Sequence, residues 1–553
     1  MKTVIIGGVA GGATTAARLR RLDEKAEIVL FERGAHISYA NCGLPYYIGG
    51  VIVERDELLL QTPESFKARY NIDIRIHSEV LKINVSAKTV LVRNGLTNEE
   101  YTESYDKLVV STGAEPVRPS LKNIDNERIM SLRNVADTDK IKNFILKNKP
   151  QKAVVAGGGF IGLEMVENLK KLEIETIVVE KAPQVMAPLD FPMAAIVHHH
   201  LSEKGIKLKL NVGVTAFEPV ENRIKVLLDS GESIDADMVI FSIGVRPEVK
   251  LAKEAGLKIG GLGGILVDEF LQTSDKNIYA LGDAVEVFNP LTGKNALIPL
   301  AGPANKQARI VAGNLISGNK QVYKGSIGTS IARVFDLTVA ATGVNSRILE
   351  KENIAHIQSF THSNSNAGYY PNAAQMSIKI NFDGKTGKLF GVQIVGHKGV
   401  DKRIDVFAQI IKSGGTIFDL QEFEHAYAPP YSSAKDAVNM AGFVAENIMN
   451  EQVKIIHWSA IETLDRNEDF LLDTRTKNEF AAGHIAGATN IAVDEIRNRL
   501  AEIPYHKRII VYCAVGLRGY TAARILMQNG FANVYNLSGG YKTWWYASLN
   551  LKN

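Results

Sequence analysis

Two cysteines occur in the 553 residues, Cys42 and Cys513, and each sits in a stretch suited to sulfur chemistry. A thiolate can attack a sulfur–sulfur bond to form a mixed disulfide, or pass through a sulfenic acid. Cys42 lies in SYANCGLPYYIGG, and Tyr47 stands where a C-x4-C partner would be. An internal disulfide is therefore excluded for Cys42. Cys513 ends an apolar strand in VYCAVGLRGYTAA, followed by a loop and a helix. Backbone N–H groups at such a helix N-terminus are expected to lower a thiol's pKa and to hold a persulfide anion. Arg518 closes the loop with a cation for an anionic sulfur donor.

Two glycine turns must position these thiols. Gly157-x-Gly159-x-x-Gly162 joins a strand at Ala153–Ala156 to a helix at Phe160–Leu172, and the next strand, Thr176–Val179, ends at Glu180. Glycines there let a pyrophosphate approach the helix N-terminus, and a carboxylate at the strand end binds a ribose and repels a 2′-phosphate. The second turn is assigned to NADH in preference to NADPH. The first turn, Gly7-Gly8-Val9-Ala10-Gly11-Gly12, puts Val9 in place of the second fingerprint glycine. It lies between a strand at Lys2–Ile6 and a helix ending near Leu22, and the strand Glu27–Phe31 then leads to Glu32 and Arg33. The segment TSDKNIYALGD, ending at Asp283, resembles the second flavin motif of two-dinucleotide flavoproteins, in which the aspartate holds the ribityl chain. STGAEP, with Thr112 and Gly113, resembles the crossover out of a FAD domain. Gly7, Gly12, Glu32, Arg33, Thr112, Gly113 and Asp283 are therefore assigned to FAD. Glu32 marks the adenosine end, and Cys42, ten residues on, is expected to reach the flavin ring.

The chain resembles the coenzyme A–disulfide reductases, in the one-cysteine branch of the pyridine nucleotide–disulfide oxidoreductases. GGVAGGATTAARLRRL, SYANCGLPYYIGG and AYAPPYSSAKDAVNMAGF carry the likeness, which runs from residue 1 to about 448. The resemblance makes Val9 usual and Cys42 the nucleophile. It implies that Ser38, Asn41 and Lys435 contact coenzyme A, and that Thr14, Arg18 and Arg21 approach its phosphates. It also implies that Tyr427 and Tyr431 reach the flavin and the Cys42 sulfur from the other subunit of a homodimer. His425 is a minor candidate for a base. Residues from about 459 resemble a rhodanese domain, through LLDTRTKNEFAAGHIAGATNI, the Cys513 loop and LSGGYKTWW.

The expected architecture is α/β. It has a discontinuous FAD domain (1–115 and 245–323), an NADH domain (116–244), an α+β dimerisation domain (324–448), a join (449–458) and an α/β rhodanese domain (459–553). Strands are expected near Ser326–Val334, Ile354–Phe360 and Met376–Asn381, a hairpin over about 211–240, and a helix over Pro303–Ser317. His198–His200 reads as a solvated helix turn and no metal site is expected. A net charge of +4 gives no reason for a nucleic-acid partner, nothing reads as a membrane span, and two cysteines suit a reducing cytoplasm. The reading is NADH-driven reduction, through FAD and Cys42, of coenzyme A persulfide, polysulfide or coenzyme A disulfide, coupled to sulfur transfer at Cys513. Two alternatives stand beside it: an NADH oxidase or peroxidase cycling Cys42 through a sulfenic acid, and a non-reductive sulfur carrier or sensor.

Overall fold

The computed structural model describes residues 1–549 in two compact units, one of 1–183 with 206–328 and one of 184–205 with 329–549. Among these residues no helix is long and apolar enough to cross a membrane.

The first unit contains two parallel five-stranded sheets. One orders its strands Ile278–Ala280, Lys107–Val110, Lys2–Ile6, Glu27–Phe31, Asp73–Arg75; the other orders Lys207–Leu210, Glu175–Glu180, Lys152–Ala156, Met238–Phe241, Ile129–Met130. In each, the glycine turn leaves the carboxyl end of the central strand. These central strands read KTVII and KAVVA because a parallel sheet covered on both faces needs apolar side chains in succession. Val4, Ile5, Val154 and Val155 are fully buried, each stabilising by about 1.5–3 kcal/mol. Ile278–Ala280 pairs with Lys107–Val110, so chain from far downstream completes the first sheet. The expected hairpin is a three-stranded meander, Val214–Val220, Arg223–Leu228 and Ser233–Ala236. The helix Ala301–Ser317 begins two residues before its expected start.

The second unit holds an antiparallel sheet ordered Ser330–Val334, Leu337–Gly343, Leu389–Gly396, Gln375–Phe382, Ile357–Asn364. The last strand starts three residues later than its β-branched run suggests. Asn353 takes φ +56° and the Ile354 N–H closes the preceding helix on Leu349 O, so Ile354 is spent on a helix end. The helix Phe191–Glu203 belongs to this unit although its sequence lies among the strands of the second parallel sheet. The buried Lys379 ammonium pairs with Asp190 at its N-terminus. His198 and His200 are buried, contrary to the solvated turn expected from the histidine run. His198 Nε2 accepts the Val185 N–H, and His200 Nε2 lies 3.1 Å from Asp336.

A parallel sheet, ordered Lys454–Ile456, Val534–Leu537, Arg508–Tyr512, Asp469–Asp473, Thr489–Asn490, forms the rest of this unit. Lys454–Ile456, expected as part of a join, is thus an edge strand. The terminal helix Gly540–Leu549 packs on Phe191–Glu203, with the His199 ring 4.9 Å from that of Trp545.

Two histidines in this unit are held neutral. Burial pushes His362 down to about 3 and His457 down to about 4, and Lys542 and Lys379 respectively add repulsion. Both values lie below the unfolded value near 6.5, so the unfolded chain binds the protons first as pH falls. The stability of this unit is therefore full above about pH 6.5 and declines toward pH 4, by up to about 1.4 kcal/mol per pH unit for each group. All three tryptophans, Trp458, Trp544 and Trp545, lie in this unit. Their fluorescence in denaturant melts should show the midpoint dropping between pH 7 and 4.5; a flat profile would contradict the burial of these rings.

Candidate active site

Both glycine turns have a form suited to a dinucleotide. The helices Ala10–Leu22 and Phe160–Lys171 start without a side-chain cap and without an acid in the first turn, leaving N-terminal N–H groups for an anion. Gly157 takes φ +109°, and a Cβ there would lie 2.2 Å from Ser242 O, so the turn itself demands glycine. Gly159 is different: its φ is −80° and a Cβ would meet nothing within 4 Å. What glycine leaves there is room for a ligand to approach the backbone. Val9, the corresponding residue of the first turn, has φ −97° at the helix N-cap, a conformation that accepts a side chain. Glu32 accepts the Gly8 and Gly34 N–H groups at 2.9 and 2.8 Å. Glu180 repeats the arrangement with the N–H groups of Gly158 and Ala182. Each carboxylate is thereby fixed at its strand end beside the glycine turn. Residues and space fit FAD at the first turn and a nicotinamide dinucleotide at the second.

The Cys42 segment hangs from the first turn. Ser38, at φ +45°, donates its N–H to Gly8 O at 2.8 Å, and Ala40 donates to Leu58 O at 2.7 Å. A single 3-10 turn, Asn41–Gly43, then presents Cys42 at the surface of this chain. Although the thiol is solvent-exposed by area, packing on its inner side pushes it upward, and Glu164 and Asp283 add to the rise. Burial also raises the Asp283 carboxyl, opposed by Arg133. Glu164 is pushed up to about 7 by burial and by Glu167. A carboxyl titrating near neutrality beside a thiol can store and return a proton. Sequence reading missed Glu164; the signal was an acid two residues after Gly162, on the turn that brings the second nucleotide fold to the thiol. Tyr47 donates no thiol: its ring carries the Lys142 ammonium at 3.5 Å, and its carbonyl accepts from the same group.

Of the other expected residues of this unit, some are engaged within the chain and some stand open. Thr14 donates to Asn305 Oδ1 at 2.7 Å. The Arg33 guanidinium grips both oxygens of Glu248, whose backbone carbonyl accepts from the Thr112 hydroxyl. Gly113 takes φ +73° with open space around it. Gly7, Gly12 and Gly162 permit close backbone packing; a Cβ on Gly12 would lie 1.8 Å from Gly7 O. Arg18 is half-buried and Arg21 exposed, with its guanidinium 5.8 Å from the Tyr70 ring centre. Asn41 is exposed beside Cys42.

In the second unit, Tyr427 and Tyr431 stand exposed on one surface. The Tyr427 hydroxyl lies 3.3 Å from that of Tyr369, which is 77% exposed and was not expected from sequence. The hydrogen bond to Tyr427 raises the Tyr369 phenol above its ordinary value. Two loops carrying phenols are fastened by one buried cation. Arg403 donates to Ser365 O at 2.9 Å and to Asp436 at 2.6 Å, tying the Tyr369 loop to the Tyr427 loop. His425 Nε2 lies 2.8 Å from Ser433 O, so that nitrogen carries the ring proton and supports the backbone. Lys435 is exposed nearby.

Cys513 directly follows the strand Arg508–Tyr512 and is buried. The Gly516 N–H donates to its Sγ at 3.1 Å, and Gly516 takes φ +107° as the helix Leu517–Gln528 begins. Asn536 Nδ2 holds Gly516 O at 3.1 Å. Arg518, expected to close the loop with a cation for an anionic donor, is paired with both carboxylate oxygens of Glu479 at 2.6 and 2.7 Å and also interacts with Cys513. That pair holds Glu479 down at about 2. The Arg475 guanidinium pairs with Asp473 and lies 4.2 Å from the Tyr541 ring centre, bracing the closing segment.

Residues 1–308 match the family model described as pyridine nucleotide-disulphide oxidoreductase, residues 329–438 its dimerisation domain, and residues 459–547 the rhodanese-like domain. A coenzyme A disulfide reductase of Staphylococcus haemolyticus is 36% identical over 447 residues, covering 81% of this chain and all of that protein. The structure of reduced Bacillus anthracis CoADR-RHD superposes with a TM-score of 0.96 at 50% identity, over 99% of this chain and 98% of that one. An NAD-dependent persulfide reductase from A. fulgidus does so with a TM-score of 0.93 at 37% identity, over 98% of this chain and all of that one. The chain therefore belongs to the pyridine nucleotide-disulphide oxidoreductases, in the coenzyme A disulfide reductase branch that carries a rhodanese domain after its dimerisation domain.

Proposed function

We propose that this oxidoreductase uses NADH to reduce sulfane sulfur or disulfide sulfur carried by coenzyme A, and that its rhodanese cysteine exchanges sulfur with the same pool. The observation that carries the reading is the placement of Cys42. It is the only cysteine of the reductase half, on a turn tied to the first glycine turn and flanked by Glu164 and Asp283. FAD, when bound, supplies the two-electron relay between NADH and a sulfur–sulfur bond. The Cys42 thiolate attacks the sulfur bonded to coenzyme A in a persulfide, the S–S bond breaks, and hydrosulfide leaves. With coenzyme A disulfide as substrate, the leaving group is the coenzyme A thiolate. In either case Cys42 is left in a mixed disulfide, which two electrons and a proton return to Cys42 thiolate and coenzyme A thiol. Glu164 is suited to hold that proton near neutral pH.

Ser38, Asn41, Thr14, Arg18 and Arg21 form the coenzyme A side of this proposal, and Lys435 joins them from a second subunit. The Tyr369–Tyr427 pair, with Tyr431 beside it, supplies a phenol O–H to the departing thiolate across a homodimer. Exposure of such aromatic surface on one chain supports burial against another. Glu180 favours NADH, since a 2′-phosphate would meet a carboxylate fixed by two backbone N–H groups. Cys513 takes the outer sulfur of a persulfide and returns it to a thiol acceptor. The same relatives and the rhodanese module weigh against a peroxidase cycling through a sulfenic acid.

Cys42→Ser should abolish NADH consumption driven by coenzyme A persulfide or coenzyme A disulfide. Cys513→Ser should spare small persulfides while slowing bulky or protein-bound donors. Faster NADH turnover by the parent protein with peroxide than with coenzyme A persulfide would reverse the assignment.

The phenol pair makes a separate prediction. Tyr427→Phe should lower kcat for coenzyme A disulfide about tenfold or more, and Tyr369→Phe less. Flavin reduction by NADH in stopped flow should be unaffected in both. Full turnover in the double variant would remove the phenols from the mechanism.

A further inference from the structure

The sulfur-transfer loop is braced from outside its own domain. Its carbonyls are pinned by the start of the terminal helix: the Tyr541 N–H donates to Cys513 O at 2.8 Å, and the Lys542 N–H donates to Ala514 O at 3.0 Å. Because a trans peptide sets N–H opposite C=O, this turns the N–H groups of Ala514 and Val515 away from the helix. The corner that feeds the helix, Gly539-Gly540, has φ +74° and +60°. A Cβ on Gly540 would lie 2.5 Å from Cys513 O, and one on Gly539 would lie 2.9 Å from the Phe360 Cβ. The corner is thus wedged between the loop and the strand Ile357–Asn364, the edge strand of the dimerisation sheet.

That strand holds the corner through a side chain. His362 Nε2 lies 3.1 Å from Gly539 O and 2.9 Å from Thr543 Oγ1, and Nδ1 lies 2.9 Å from Ser377 Oγ. A carbonyl only accepts, so Nε2 bears the proton and Nδ1 accepts from the Ser377 hydroxyl. One residue pair away, the Phe360 N–H donates to Ser538 Oγ at 3.2 Å. Burial keeps the imidazole neutral, so this tautomer persists at working pH. Hydrogen bonds run from Ser377 through His362 to Gly539 O, and two and three residues further along the backbone the N–H groups of Tyr541 and Lys542 hold the carbonyls of Cys513 and Ala514.

We propose that His362 of the dimerisation domain is a positioning residue for sulfur transfer at Cys513, fixing the loop through the Gly539-Gly540 corner. The proposal rests on the reading of Cys513 as the sulfur-transfer thiol. No bond is made or broken at the imidazole; it sets the direction of the Ala514 and Val515 N–H groups of the loop that carries Cys513. A misplacement of about an ångström in such a loop costs up to about a hundredfold in rate.

The test uses the full-length protein, with thiosulfate as donor and cyanide as acceptor. His362→Phe should lower kcat for sulfur transfer roughly tenfold or more with KM little changed. His362→Gln, whose amide N–H reaches the same carbonyl, should recover most of it. NADH-driven reduction of coenzyme A disulfide should be unchanged in both. Labelling of Cys513 by iodoacetamide in a Cys42→Ser background reads the loop without any sulfur donor: its pH profile should move in His362→Phe and return in His362→Gln. A parent protein without sulfur transfer, but with a labelling profile that still moves and returns, supports His362 while removing the reading of Cys513. Unaltered labelling and transfer in His362→Phe, or a Gln variant as impaired as the Phe variant, overturns the proposal. Should His362→Phe fail to fold, Ser377→Ala removes only the hydroxyl that fixes the tautomer; a smaller shift of the same kind supports the proposal, and none overturns it.

Discussion

A hydrogen bond of 2.8 Å, from the Ser38 N–H to Gly8 O, fixes where Cys42 stands. Gly8 belongs to the turn that exposes the N-terminus of the first helix, and that turn exists because Gly7 and Gly12 let backbone approach backbone. The segment carrying Cys42 is therefore suspended from the cofactor cradle itself. Anything that shifts the cradle shifts the thiol with it. Glu164 reaches the same neighbourhood from the other nucleotide fold, so both dinucleotide folds contribute to the electrostatics of a single sulfur.

The two sulfurs live under opposite constraints. Cys42 is open at the surface of the chain, yet packing on its inner side, and then Glu164 and Asp283, oppose its ionisation, which suits a thiol whose charge is managed as substrate and cofactor arrive. Cys513 is buried in a loop in which the carbonyls of Cys513, Ala514 and Gly516 are held by hydrogen bonds and the Gly516 N–H meets the sulfur. The Arg518 guanidinium is paired with Glu479 and also interacts with Cys513. Rigidity there comes from backbone, and part of it is borrowed from the dimerisation sheet through His362.

Much of the nucleotide-binding half was legible in sequence because glycine spacing, strand-end acids and apolar runs are local signals. Lys2–Ile6, Ala10–Leu22 and Glu27–Phe31 stand where the pattern puts them. The misreadings share a cause: the deciding partner is distant in sequence. His198–His200 reads as polar, but one ring meets Val185 and another Asp336. Lys454–Ile456 has the composition of a join and is a strand because Val534–Leu537 offers it an edge. Ile354 looks like strand and is consumed by a helix end. Among site residues, Cys42 and Cys513 announce themselves by rarity. Glu164, Tyr369 and His362 do not, since an acid, a tyrosine and a histidine gain significance only from what folding places within reach.

Mass analysis of the Cys42 peptide in protein treated with coenzyme A disulfide, before and after anaerobic NADH, tests the central claim most directly. The account predicts a coenzyme A mixed disulfide on Cys42 that NADH removes when flavin is bound and leaves intact in flavin-depleted protein. An adduct that persists while the bound flavin is reduced, or no adduct on Cys42 at all, would contradict it.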